Sequence, residues 1–224
     1  MFRSYNAFSP KIYKAVMWII YPFLAIICCI LVQNGCFGLV TEKGYHYMVS
    51  ANLLCSSIVI IEVMGDYWLF SGIQSKNANH MDFLKSSKRG RQFFRDAIVS
   101  DIIRRFTVIV VLNVANLIIG TCIFNYQSGG IEGILLITTY GLCCYTFSTF
   151  AVFISRYGQI WYINMGIGYI GNVVAMIAIL IISTIKLPLW IWVFIYCMSS
   201  IVVTILAVKV AIKKVEDSYY DQRS

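Results

Sequence analysis

Charge is the scarcest property of this chain. Of its 224 residues only 12% are Asp, Glu, Lys or Arg, against roughly a quarter in an ordinary soluble domain, while 59% are apolar or aromatic. With a mean hydropathy of +0.76, the apolar surface exceeds what one soluble core could hide, which excludes a soluble globular protein. Proline is nearly absent, at three residues, which argues against collagen-like and low-complexity chains, and the lack of charge argues against ordinary disorder. Histidine occurs only at His46 and His80, and no H-E-x-x-H is present. No G-x-x-x-x-G-K-[ST] occurs either, so the chain has no phosphate-cradling P-loop of its own. His80 and Asp82 on one segment are too few ligands for a metal centre, and no histidine stands in a span where a membrane serine protease would need one. The expectation is a non-enzyme with no catalytic residue, no metal and no cofactor in this chain.

What is present is a set of six long uncharged or nearly uncharged runs, each able to cross a hydrocarbon core that needs about 20 apolar residues per helix. They lie within residues 15–40, 47–73, 106–126, 133–155, 157–185 and 187–208. Their continuity, without polar and apolar alternation, predicts helices rather than barrel strands. The first run is longer than a signal-peptide core and no cleavage site stands out after it, so it reads as a retained span. The predicted fold is an all-α integral membrane protein, one transmembrane domain over residues 1–224. Eight cysteines, two adjacent pairs among them and no C-x-x-C, suit span linings better than a zinc site or a disulfide framework.

The net charge of +8 is explained by topology before nucleic acid needs to be invoked. If the amino terminus is cytoplasmic, sixteen of the eighteen basic residues fall on that side and only Lys43 and Lys186 lie outside. Both termini are therefore expected in the cytoplasm, with residues 209–224 as a cytoplasmic tail. Residues 1–14 carry Phe2, Tyr5, Phe8 and Tyr13 among Arg3, Lys11 and Lys14, the pattern of an amphipathic interfacial helix. Residues 74–105 form the one substantial cytoplasmic segment. In it Asn79 and Asp82 start a short helix, and Ser86, Ser87 and Gly90 interrupt it before a second helix leads into the third span. Met81, Phe83 and Leu84 are apolar on that protruding helix, which suits a protein partner. The competing reading lays it on anionic lipid, with Phe93 and Phe94 dipping in and Lys85, Lys88, Arg89, Arg91 and Arg95 on headgroups.

Two acids interrupt the second span. Glu62 and Asp66 lie four apart, on one helix face near the cytoplasmic end, and Arg104 and Arg105 at the start of the third span are their expected partners. Asp101 stands three and four residues before those arginines. A carboxylate in a span is costly unless paired or facing water, so these residues form either an ion-pair latch or part of a proton or substrate path. Asn113, Asn116 and Gly120 in the third run, Thr138, Gly141, Tyr145 and Ser148 in the fourth, and Asn164, Gly168 and Asn172 in the fifth form small or polar stripes. Such stripes serve helix packing or line a pathway.

Six spans, an amphipathic amino terminus, no ATP motif and a protruding helix after the second span resemble the membrane subunit of an ABC transporter. The stretch Met81-Asp-Phe-Leu-Lys-Ser-Ser-Lys-Arg-Gly-Arg with Asp101-Ile-Ile-Arg-Arg105 carries the likeness to the type-2 permeases, which include bacterial drug and peptide exporters. The resemblance implies a coupling helix formed by Met81, Asp82, Phe83, Leu84, Lys85 and Lys88 that docks on a separate cytoplasmic ABC ATPase, with ATP and Mg bound there. It implies a second permease chain, identical or not, a bacterial plasma membrane location, and a peptide or hydrophobic small-molecule substrate. The short external loop at Lys186 and Pro188 departs from members with large outer domains. The rival readings are a membrane interaction or assembly protein with a basic partner-binding or lipid-binding loop, and an ion-coupled secondary transporter.

Overall fold

In the computed structural model, residues 11–34, 45–74, 87–123, 131–156, 161–185 and 187–220 are described. Among them are six helical rods long and apolar enough to cross a membrane. Rod α1 joins Lys11–Ala15, a π-helical turn Val16–Ile20, and Tyr21–Gln33. The wide turn has a local cause. Pro22 has no amide hydrogen to give to the preceding turn, and the backbone relaxes so that the Tyr21 amide donates to the Val16 carbonyl, five residues back. Rod α2 is Tyr45–Gln74, α4 is Ile131–Ser155, α5 is Trp161–Thr184 and α6 is Leu189–Tyr220. Rod α3 runs as Lys88–Ile118 and continues as a π segment, Ile119–Ile123.

Two placements differ from the sequence expectation. Gly90, expected among the interrupting residues, lies inside a single rod that runs from Lys88 into the third span; Ser87, with extended backbone, caps that rod by accepting from the Gly90 amide at 2.9 Å, and residues 75–86 lie outside the described residues. Tyr13, expected in an interfacial collar, is 2% exposed and packs over Gly65 of α2, where a Cβ would collide with its ring. Rod α6 stays helical to Tyr220, so the helix of the last span continues through residues 209–220. Phe2, Tyr5 and Phe8 lie outside the described residues.

Rods α2 and α4 form the centre of the bundle. In each, 56% of the apolar window is buried, against 28% for α1 and α5 and 17% for α6. Small residues set the close approaches: a Cβ added to Gly171 of α5 would lie 3.0 Å from Ala151 of α4 and 3.4 Å from Val59 of α2. The peripheral rods turn Phe23, Ile170, Phe194 and Ile201 outward. Such surface is stable only in a bilayer or against another apolar surface. Cys55, Cys143 and Cys144 are buried free thiols at the centre.

Candidate functional site

The α3 helix has one buried stripe: Gly90, Phe94, Ala97, Ile98, Asp101, Arg104, Arg105, Val108, Leu112 and Asn116 all fall on it. The charged members recur at the same three- and four-residue spacing as the apolar ones, so the helix that buries Ile98 also buries both arginines. Arg104 and Arg105 are each 1% exposed. Such burial is tolerable only if every guanidinium finds carboxylate oxygens.

It does. Arg104 grips Glu62 of α2 through both terminal nitrogens, at 2.9 and 2.5 Å, and gives Nε and the same Nη2 to Asp101 at 3.3 and 2.9 Å. Arg105 donates from Nε to Glu62 at 2.9 Å and from Nη2 to Asp101 at 2.8 Å. Two carboxylates therefore bracket two guanidiniums, and the forked geometry uses the planarity of arginine as a lysine could not. Asp66, one turn further along α2, is not bound by either of these arginines. It takes Arg156, just past the end of α4, whose Nε lies 3.1 Å from both carboxylate oxygens and whose Nη2 lies 2.6 Å from one. Nη1 of Arg156 reaches 3.5 Å from the Ala207 carbonyl of α6, a long contact. Three acids and three arginines, neutral in sum, so join α2, α3 and α4 and touch α6.

The expected pairing of Asp66 with Arg104 or Arg105 is thus corrected. Arg156 stands at the end of an apolar run, where a base reads as a topology signal. A signal for it was available: α2 and α4 run in the same direction, and Asp66 and Arg156 stand near the same end of the two rods. Asp101 belongs to the cluster as much as the arginines it precedes.

A second polar contact lies at the opposite end. Gln33, at the end of α1, donates from Nε2 to the Asn116 side-chain oxygen at 2.6 Å and to its carbonyl at 3.2 Å. Asn113 gives its amide to the Ile109 carbonyl of its own helix at 2.8 Å and packs against Gly141 of α4. Asn164 is buried and Asn172 half-buried on α5, whose Gly168 between them packs on Val63 of α2. The side-chain oxygens of Asn164 and Asn172 have no partner among the described residues. The four asparagines therefore sit on two separate packing faces. In α4, Tyr145 shares a 2.8 Å hydrogen bond with Thr204 of α6 and meets Phe106 of α3 edge-on at 5.4 Å, so three rods converge there. Lys88 is exposed as the first residue of α3, while Met81, Asp82, Phe83, Leu84 and Lys85 lie outside the described residues. No three His, Cys, Asp or Glu side chains among the described residues are grouped to hold a metal ion.

This is a multi-span membrane protein. No protein-family profile, curated protein or solved structure matches the chain.

Proposed function

We propose that the chain is the membrane-spanning subunit of an ATP-driven exporter of the type-2 ABC permease class, with both termini in the cytoplasm of a bacterial cell. One observation carries the reading. The two rods that flank segment 75–86 are α2 and α3, and the ion pairs of Glu62 with Arg104 and Arg105 clamp them together and, through Asp66 and Arg156, to α4. A displacement applied to that segment by a soluble motor would reach three spans as one rigid unit. Apolar Met81, Phe83 and Leu84, with Asp82, Lys85 and Lys88 around them, supply a docking surface for such a motor.

In this reading ATP and Mg bind on the partner ATPase, the chain itself performs no catalysis, and a second permease chain, identical or not, completes the path. Closure of the ATPase biases a two-state helix bundle between inward-open and outward-open forms. An apolar, aromatic-rich lining suits an amphipathic peptide or hydrophobic small molecule. An ion-coupled carrier is less well supported, since Glu62, Asp66 and Asp101 are each held by guanidinium. The test is affinity purification from native membranes in mild detergent, with mass spectrometry and an ATPase assay. An ATP-hydrolysing subunit should accompany the unaltered chain and be lost from Phe83→Glu and Leu84→Glu. A folded chain with no ATPase beside it would refute the proposal.

A further inference from the structure

The buried and exposed bases of this protein are treated differently. Each buried arginine has a carboxylate: Arg104 and Arg105 share Glu62 and Asp101, and Arg156 has Asp66. Arg95 on α3 and Lys209 and Lys213 on α6 are exposed and enter no ion pair among the described residues. All three lie at the end of the bundle that holds the ion-pair cluster. At the other end the one described charged residue is Glu132.

The outward faces of α3 and α6 change character along their length. Opposite its buried stripe, α3 presents Lys88, Arg89 and Arg95 near its start, then the apolar Ile103, Phe106, Val110 and Val114, with Thr107 among them giving its hydroxyl to the Ile103 carbonyl of its own helix. From Ile103 to Ile123 is about 30 Å at 1.5 Å per residue, the thickness of a hydrocarbon core. In α6 the outward Ile201, Val202, Ile205 and Leu206 give way to Lys209 and Lys213, four apart on one face. The two transitions can be placed on one scale because Phe106 and Thr204 both touch Tyr145. From that level the apolar face of α3 ends about 5 Å away, at Ile103, and the first base of α6 stands about 8 Å away, at Lys209. The two antiparallel rods therefore change from apolar to basic on the same side of that level, with Lys209 and Lys213 about 3 and 9 Å beyond the depth of Ile103 and Arg95 about 12 Å beyond it.

We propose that Arg95, Lys209 and Lys213 form a collar that binds the headgroups of anionic phospholipids, with Lys88 and Arg89 standing further out. The missing counter-charge is the lipid phosphate: long basic side chains at this depth extend their charges to the headgroup layer while their stems stay on apolar surface. The proposal concerns the outward helix faces and is independent of segment 75–86 and of any ATPase.

The test uses the purified full-length chain in mild detergent, equilibrated with equal amounts of phosphatidylglycerol and phosphatidylcholine, with retained lipid counted by native mass spectrometry. The unaltered chain should retain phosphatidylglycerol in at least roughly fivefold preference, the worth of one base on a headgroup. The preference should fall toward unity in Arg95→Gln/Lys209→Gln/Lys213→Gln and in high salt. None of the three residues belongs to the ion-pair cluster, so the unfolding midpoint should hold; should the triple variant not fold, Arg95→Gln alone and Lys209→Gln/Lys213→Gln are compared instead. No preference in the unaltered chain, or an unchanged preference in the variants, overturns the proposal. Unchanged lipid retention with loss of a co-purifying protein would overturn it in favour of a protein-binding face.

Discussion

The two ends of α3 solve the same problem with different chemistry. At one end its buried stripe carries Asp101, Arg104 and Arg105, locked to α2 by Glu62. About 17 Å along the same stripe it carries Asn116, tied to α1 by a single glutamine. Removing one member of an ionic network strands a charge in a low-dielectric interior, whereas removing one amide strands a dipole. The bundle is therefore welded at its charged end and lightly fastened at its amide end. A bundle that opens and closes would keep α2, α3 and α4 together as a unit and part most easily where the Gln33 contact holds α1.

The sharpest way to break this contrast is Arg104→Leu. Arg104 serves two carboxylates, and its loss leaves Glu62 and Asp101 sharing only Arg105. The expected loss is about 3–5 kcal/mol, read as denaturant or thermal unfolding of the protein in detergent. A change below about 1 kcal/mol would mean that water reaches the cluster and the weld is not one.

Next in size is the Asp66 and Arg156 pair, which can be removed whole. Asp66→Asn and Arg156→Gln are each expected to cost about 3 kcal/mol, because each leaves a buried charge. The double variant should cost less than either single change, since both charges go together. A double-mutant cycle checks this, and additive losses would show that the two side chains act separately despite their 2.6 Å contact.

Smaller again is the steric seam where α1 meets α2 at the charged end. Gly65→Ala would drive a methyl group into the Tyr13 ring and is expected to cost about 1–3 kcal/mol, with part recovered by Tyr13→Ala. Gly166→Ala on α5 meets nothing within 4 Å and should be neutral or stabilising by up to about 1 kcal/mol, the ordinary helix preference of alanine over glycine. Equal effects at the two glycines, measured by the same unfolding assay, would remove the steric argument.

The six spans were legible because a bilayer demands long uncharged runs, and nothing else in the chain competes with that signal. The buried stripe in the first turns of α3 was not, because hydropathy registers how many charges a window holds and is blind to which face they occupy. Residues 88–105 hold six bases, yet Gly90, Phe94, Ala97, Ile98 and Asp101 trace a buried helical stripe through them. The salt-bridge residues Glu62, Asp66, Arg104 and Arg105 were visible as charges at helical spacing in or beside apolar runs. Their exact partners depended on which rods are neighbours, and Arg156 entered only with the packing of α4. Tyr13 failed for a related reason: an aromatic beside a lysine looks the same in sequence whether its ring faces headgroups or a glycine of the next helix.

The smallest effect tests the other half of the comparison. Gln33→Leu removes both hydrogen bonds to Asn116 and keeps an apolar side chain of similar reach. Interhelical hydrogen bonds in membrane proteins average about 0.6 kcal/mol, because a polar group released inside a bilayer finds other partners. The expected loss is of that order and local. Hydrogen exchange should speed up at residues 30–34, at the end of α1, while residues 58–66 of α2 stay protected. The loss should also be several times smaller than that of Arg104→Leu in the same detergent. A loss as large as that of the arginine, or faster exchange that spreads into α2, would mean that the amide end is as firmly fastened as the charged one. Neither end would then be preferred for opening, and a motion hinged on the charged cluster would have no structural basis.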